Sequence, residues 1–179
     1  MSPDLVIWIS VTLFMIHEFE EIICIRPWLD RHRNDPRAPK QVFWRFRDTS
    51  TATIAALIFE EYLLFSAVAL AATLANGGEL FFAGLLVPYA FHLIGHICEA
   101  VRLRMRTPSL VSSAITLPWY IYAVVELTPQ SPSGIFAVAA WSLLFTAVIV
   151  ANFALLYRLE PRVDRCLRGD SPLGQDRSG

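Results

Sequence analysis

The chain has 179 residues, of which 55% are hydrophobic and only 17% charged. That balance is too apolar for an ordinary soluble domain of this size, and so short a chain has room for one helical bundle and no separate soluble domain. The formal net charge of −1 gives no reason to invoke nucleic acid, because Arg-rich loops lying against an anionic leaflet account for the basic residues.

Five apolar stretches are long enough to cross a hydrocarbon core, which takes about 20 helical residues. In chain order they cover residues 5–25, 53–75, 80–101, 109–126 and 134–157. The first has no basic residue before it and no small-residue cleavage site after it, so it is expected to stay as a span rather than act as a signal peptide. Between spans 1 and 2, Arg26-Pro27-Trp28 reads as a helix end with an interfacial Trp. The aromatic, basic stretch 41–48 reads as a short helix lying on the leaflet. Asn76-Gly77-Gly78 makes a tight turn between spans 2 and 3, and Pro129 with Pro132 breaks the chain between spans 4 and 5. Pro88 and Pro118 fall inside spans 3 and 4, where a membrane helix tolerates them as kinks. The expected organisation is one all-α polytopic domain over residues 1–160, followed by a disordered tail over 161–179.

All 15 Lys and Arg residues lie in 26–47, in 102–106 or from 158 onwards. These are alternate loops, and loops rich in Lys and Arg stay in the cytoplasm. The N-terminus is therefore expected outside and the C-terminus inside. Cys24, Cys98 and Cys166 then lie on the reducing side, form no paired metal motif, and read as free thiols.

Within the apolar stretches sit His17-Glu18-Phe19-Glu20-Glu21, Glu60-Glu61, and His92, His96 and Glu99. At about 100° per residue, His17, Glu20 and Glu21 share one face of helix 1 while Glu18 turns away. His92, His96 and Glu99 form a stripe on helix 3. Counting about 1.5 Å per residue from the basic end of each span puts His17 roughly 12 Å deep, Glu20 and Glu21 about 6–8 Å, Glu60, Glu61 and His92 about 14 Å, and His96 about 8 Å. Three helices thus deliver ionisable groups to one layer in the cytoplasmic half of the bilayer. A charged carboxylate at mid-span costs something like 2.5–3.5 kcal/mol, so the layer needs compensation: a bound metal, shared protons or a wet ion path.

Histidine with carboxylate suits zinc, iron or manganese, and i, i+3 and i, i+4 spacings place ligands side by side. Candidate ligands are His17, Glu20, Glu21, His92, His96 and Glu99. Glu20, Glu21, Glu60 and Glu61 are candidate catalytic acids or bases. Glu60 and Glu61 diverge by about 100°, so at most one of the two points squarely at the site. Phe91, Thr116, Trp119, Tyr120 and Asn152 are candidates for the cavity wall, with core packing the alternative for Trp119.

His17-Glu18-Phe19-Glu20-Glu21 near the start of a small multi-span chain, followed by a later histidine, resembles the HXXEE-domain family of bacterial membrane proteins. In that family the later histidine is typically followed by Tyr-x-Pro-Gly; the counterpart here is Arg106-Thr107-Pro108-Ser109, in which only the proline matches. The resemblance implies a five-span protein of the bacterial inner membrane and a site at His17, Glu20 and Glu21. It implies no reaction, because the family's biochemical role is unassigned.

The reading that follows is a membrane-embedded metal-dependent enzyme acting on a hydrophobic, lipid or isoprenoid-like substrate. The alternatives are a metal-independent acid–base isomerase or terpenoid cyclase using a buried Glu, with Trp119, Tyr120 and Phe91 stabilising a carbocation, and a proton or metal-ion transporter.

Overall fold

In hydrocarbon every backbone N–H and C=O must be satisfied within its own segment, so long apolar stretches become helices whatever their side-chain pattern. The computed structural model describes residues 1–169 and contains five: α1 (Pro3–Arg31), α2 (Thr51–Leu74), α3 (Gly78–Leu103), α4 (Leu110–Leu127) and α5 (Pro132–Arg168). Helices α2 to α5 are long and apolar enough to cross a membrane. Helix α1, at 29 residues, is also long enough but carries Glu18, Glu20 and Glu21 in its second half. Ser2, Ser50 and Ser131 start α1, α2 and α5, each accepting a hydrogen bond from the N–H three residues on, which satisfies a donor that the helix itself cannot.

Helix α1 packs between α2 and α4, and α3 closes the far side of this four-helix bundle; α5 lies outside it, against α3 and α2. The interior has three layers. A large apolar core holds Val6, Phe14, Phe65, Phe82, Leu86, Tyr89 and Tyr120. A smaller one, at the end carrying the basic loops, holds Ile25, Trp28, Leu29, Phe43, Ile54 and Ile58. Between them along α1 come His17, Glu18 and Glu21, all buried.

Three expectations change. The helix does not end at Pro27: α1 continues to Arg31. Proline removes one intrahelical hydrogen bond there. Burial of Trp28 and Leu29 in the smaller core, and the 2.7 Å bond from Trp28 Nε1 to the Arg106 carbonyl, hold the extra turn in place.

The 41–48 stretch is not an α-helix on a surface but a 3₁₀ helix over Val42–Phe46, preceded by a shorter one over Ala38–Lys40. Glu99 accepts from the Val42 N–H at 2.9 Å and from Gln41 Nε2 at 3.1 Å. Phe43 is thereby seated inside the protein, stacked on His96 with ring centroids 5.6 Å apart.

The tail is helical rather than disordered through Arg168. Asp164 accepts from the Ser50 N–H at 2.9 Å and from the Thr53 hydroxyl at 2.7 Å, and Glu160 accepts from the Thr49 hydroxyl at 2.7 Å. These bonds dock the last turns of α5 on the start of α2, where negative charge also suits the helix dipole. The rest of the expected disordered tail, 170–179, lies outside the described residues.

The α3–α5 contact depends on Gly84. A Cβ there would lie 2.3 Å from the Trp141 Cβ and 3.1 Å from its carbonyl carbon, whereas a Cβ on Gly95 would meet nothing within 4 Å. We expect Gly84→Val to destabilise the protein by about 1–3 kcal/mol through overpacking. Gly95→Ala should be neutral or mildly stabilising through helix propensity. Thermal unfolding of the two variants in detergent measures the contrast.

Candidate metal centre

The i, i+4 spacing on α1 stacks His17 over Glu21, and the same spacing on α3 stacks His92 over His96. Because α1 and α3 face each other across the bundle, the two pairs meet. One ligand atom from each of His17, Glu21, His92 and His96 lies within 4.8 Å of all the others. Glu21 Oε1 is 3.5 Å from His17 Nε2 and 3.3 Å from His96 Nε2, and His96 Nε2 is 3.0 Å from His92 Nε2. Ligands held at 2.0–2.1 Å on a tetrahedral ion are about 3.3 Å apart, so these edges have the size that a divalent transition ion requires.

The hydrogen-bond inventory points the same way. His17 Nδ1 lies 3.0 Å from the Ser112 hydroxyl, which itself donates to the Ser109 carbonyl at 3.4 Å. With Ser112 as the acceptor, the ring proton is on Nδ1 and the Nε2 lone pair faces the cluster. Among the described residues that Nε2 is fully buried without a hydrogen-bond partner. Across the cluster, His96 Nε2 has one proton at most to share between His92 and Glu21. Three imidazole nitrogens and a carboxylate oxygen aimed at one another form a donor set that could hold a metal ion.

Helix α4 supplies the supports. Ser109 donates to Glu21 Oε1 at 2.7 Å. Its backbone is left-handed, with φ of +68°, a conformation that favours glycine and is strained for serine. The strained turn places the Ser109 hydroxyl against the candidate ligand.

Of the remaining expected site residues, Glu20 is not part of the cluster. Its Oε2 accepts from the Ser112 N–H at 2.6 Å, capping the exposed amides of the first turn of α4. Glu99 holds the 41–42 backbone, as described above. Glu60 accepts from Asn152 Nδ2 at 3.1 Å, which leaves Glu61 as the α2 glutamate facing the interior. Phe91 points outward, with 67% of its surface exposed. Thr116 donates to the Ser112 carbonyl, and Trp119 and Tyr120 donate to the Ser10 hydroxyl and carbonyl. Trp119 and Tyr120 thus tie α4 to α1, and the Thr116 hydroxyl is satisfied within α4.

A cavity of about 540 Å³ opens beside the cluster, lined by Glu21, His92 and His96 together with Glu18, Glu61, Glu99 and Arg102. A second, of about 180 Å³, shares Glu18, Glu61, His92 and Phe153 with it and includes Asn152 in its wall. Glu18, set aside by the helical-wheel argument, is therefore a site residue. Only 3% of its surface is exposed, and it lies within electrostatic range of both Glu21 and Glu61. The sequence has no Lys or Arg between Arg47 and Arg102, so α2 and the buried part of α3 offer these carboxylates no cation. The signal that pointed to Glu18 was its depth in the span: a glutamate buried there faces protein, because lipid would be far costlier.

The model of a family described as a protein of unknown function with HXXEE motif matches residues 8–123, which is more than half of the chain. The chain belongs to the HXXEE family. The match takes in α1 to α4 up to Ala123, and with them the four clustered residues, Ser109 and Ser112; α5 lies beyond it. Within the motif the three defining positions separate in role: His17 and the second glutamate, Glu21, enter the cluster, and the first glutamate, Glu20, ties α4 to α1. Comparison with curated proteins and with solved structures gave no match.

The two jobs of Ser109 can be separated by substitution. Ser109→Gly loses the hydroxyl but relieves the backbone, whereas Ser109→Ala loses the hydroxyl and keeps the strain. We expect Ser109→Ala to be the less stable of the two by about 1 kcal/mol, as read from thermal unfolding midpoints.

Proposed function

We propose that this HXXEE protein is a membrane-embedded, metal-dependent enzyme acting on a lipid or isoprenoid-like substrate. In this reading its site lies in the cytoplasmic half of the bilayer of the cell membrane, with all five helices spanning, the N-terminus outside and the C-terminus inside. The observation that carries it is the convergence of His17, Glu21, His92 and His96 around an unpartnered, fully buried His17 Nε2. Basic residues confined to one end of the bundle support the orientation.

The four converging residues would hold zinc, iron or manganese, with Ser112 fixing the His17 tautomer and Ser109 steadying Glu21. A metal there would supply Lewis acidity toward an oxygen of the substrate. The protein's own share is the cavity and its carboxylates. Glu21, His92 and His96 border the 540 Å³ space, so a ligand in it reaches the site, and Glu18 and Glu61 stand beside it as proton donor and acceptor. Phe43, Phe46, Phe153 and Tyr157 wall the same space and keep water from the reacting groups.

The second reading, a metal-free acid–base isomerase or cyclase, is favoured by the same Glu18 and Glu61 facing an apolar chamber. It draws on Phe153, Tyr157 and Tyr89 for cation stabilisation rather than on Trp119, Tyr120 or Phe91. Transport fits less well. On the side away from the basic loops the bundle is filled by Val6, Ile7, Phe82, Leu86, Tyr120 and Leu127, with no polar path through them.

Elemental analysis of protein purified in detergent without chelator should give about one divalent transition ion per chain, as a four-ligand site implies. His17→Ala and His96→Ala should abolish it, and Glu20→Gln should keep it. Ser112→Ala, which removes only the support of His17, should weaken metal affinity by about 10–100-fold. A metal-free wild type would refute the leading reading and leave the acid–base one.

A further inference from the structure

The smaller cavity has apolar walls on two helices that face lipid. Leu64 and Val68 of α2 stand opposite Phe145, Val148 and Ile149 of α5. Leu64 and Val148 line the cavity and are also 45% and 50% exposed, so the cavity opens sideways between α2 and α5. On the same side of α5 as Val148, Leu144 and Leu155 are also exposed. In helices that cross a membrane, this face meets the hydrocarbon chains of the bilayer.

The inner end of the same cavity is formed by Glu18, Glu61, His92 and Tyr89. Asn152, another polar group of the wall, has its amide committed to Glu60. The rest of the wall is Phe, Leu, Val, Ile and Pro, which suits a hydrocarbon chain better than a polar solute. We propose that the opening between α2 and α5 is a lateral access route through which the chain of a bilayer-resident, single-chain amphiphile reaches Glu18, Glu61 and His92. This deepens the lipid-active reading given above and rests on it.

Two further features follow from the cavity sizes and linings. A dry apolar cavity of about 150 Å³ accommodates a benzene molecule, so the 180 Å³ chamber encloses a chain segment of about six to eight carbons by the same measure. The polar head lies in the larger cavity, where Glu99 and Arg102 border the space. The carbon that joins head to chain then sits at the Glu18–Glu61–His92 junction, next to the candidate metal ligands.

The test uses the full-length protein in phospholipid vesicles with a ten-carbon alkyl alcohol bearing a diazirine on the carbon next to its hydroxyl-bearing carbon, photolysed and mapped by mass spectrometry. Label is expected on the buried wall, at Glu18, Glu61, Phe65 or Tyr89, as well as on exposed lipid-facing positions. Leu64→Trp and Val148→Trp, made separately in case one fails to fold, plug the opening from either side. Each should lower the buried label about tenfold or more, the effect of losing a modest share of binding energy. Leu143→Trp, on an outward position of α5 that is 75% exposed, should leave it unchanged. Label confined to exposed positions, or buried label unaffected by both plugs, overturns the proposal. Metal content measured on the same samples reports separately on the metal-dependent reading: a metal-free protein that still takes buried label keeps the access route and loses the metal.

Discussion

One carboxylate oxygen, Glu21 Oε1, joins three helices. It takes the hydroxyl proton of Ser109 on α4, stands 3.3 Å from His96 on α3, and lies 3.5 Å from His17 on its own helix. A carboxylate this buried, in a bundle whose helices are mostly long and apolar enough to span a membrane, needs compensation from side chains or a cation. Much of the architecture serves this need. The polar layer lies between two apolar cores, α4 begins with a serine in a strained left-handed conformation so that its hydroxyl meets the oxygen, and Glu20 fixes the start of α4 against α1. Segment 41–46, held by Glu99, covers the layer with Phe43 stacked on His96.

What could be read in the sequence was what depends on a single helix. The i, i+4 pairs His17/Glu21 and His92/His96 follow from helical geometry alone, and counting from the basic ends placed them at a common depth. Both histidines of α3, between which the sequence could not choose, belong to the cluster. What depended on neighbouring helices was not legible. Glu18 and Glu20 are equivalent by composition, yet one is turned into a cavity and the other caps a different helix; only the positions of α2 and α4 around α1 separate them. The choice between Glu60 and Glu61 was made by Asn152, 92 residues away. Ser109 and Ser112 were missed because they support α1 from a helix with no ionisable residue at that depth. Trp119 and Tyr120 were misplaced because the rotation of α4 about its axis turns them toward Ser10.

The same logic explains the two ends of the chain that departed from expectation. Pro27 and Pro161 are local signals to stop a helix, and at both positions tertiary contacts outweigh one lost backbone hydrogen bond. Trp28 and Leu29 gain burial in the smaller core, and Asp164 gains the amide and hydroxyl donors at the start of α2. Both extensions close the basic end of the bundle around the polar layer.

The central claim is that the His/Glu layer is a metal centre. X-ray absorption at the metal edge, recorded on protein purified without chelator, tests it most directly. The account predicts a first shell of nitrogen and oxygen at about 2.0–2.1 Å, with the outer-shell scattering of several imidazoles, lost on substitution of His17. A bound metal whose shell lacks imidazole, or protein that carries no metal at all, would contradict it.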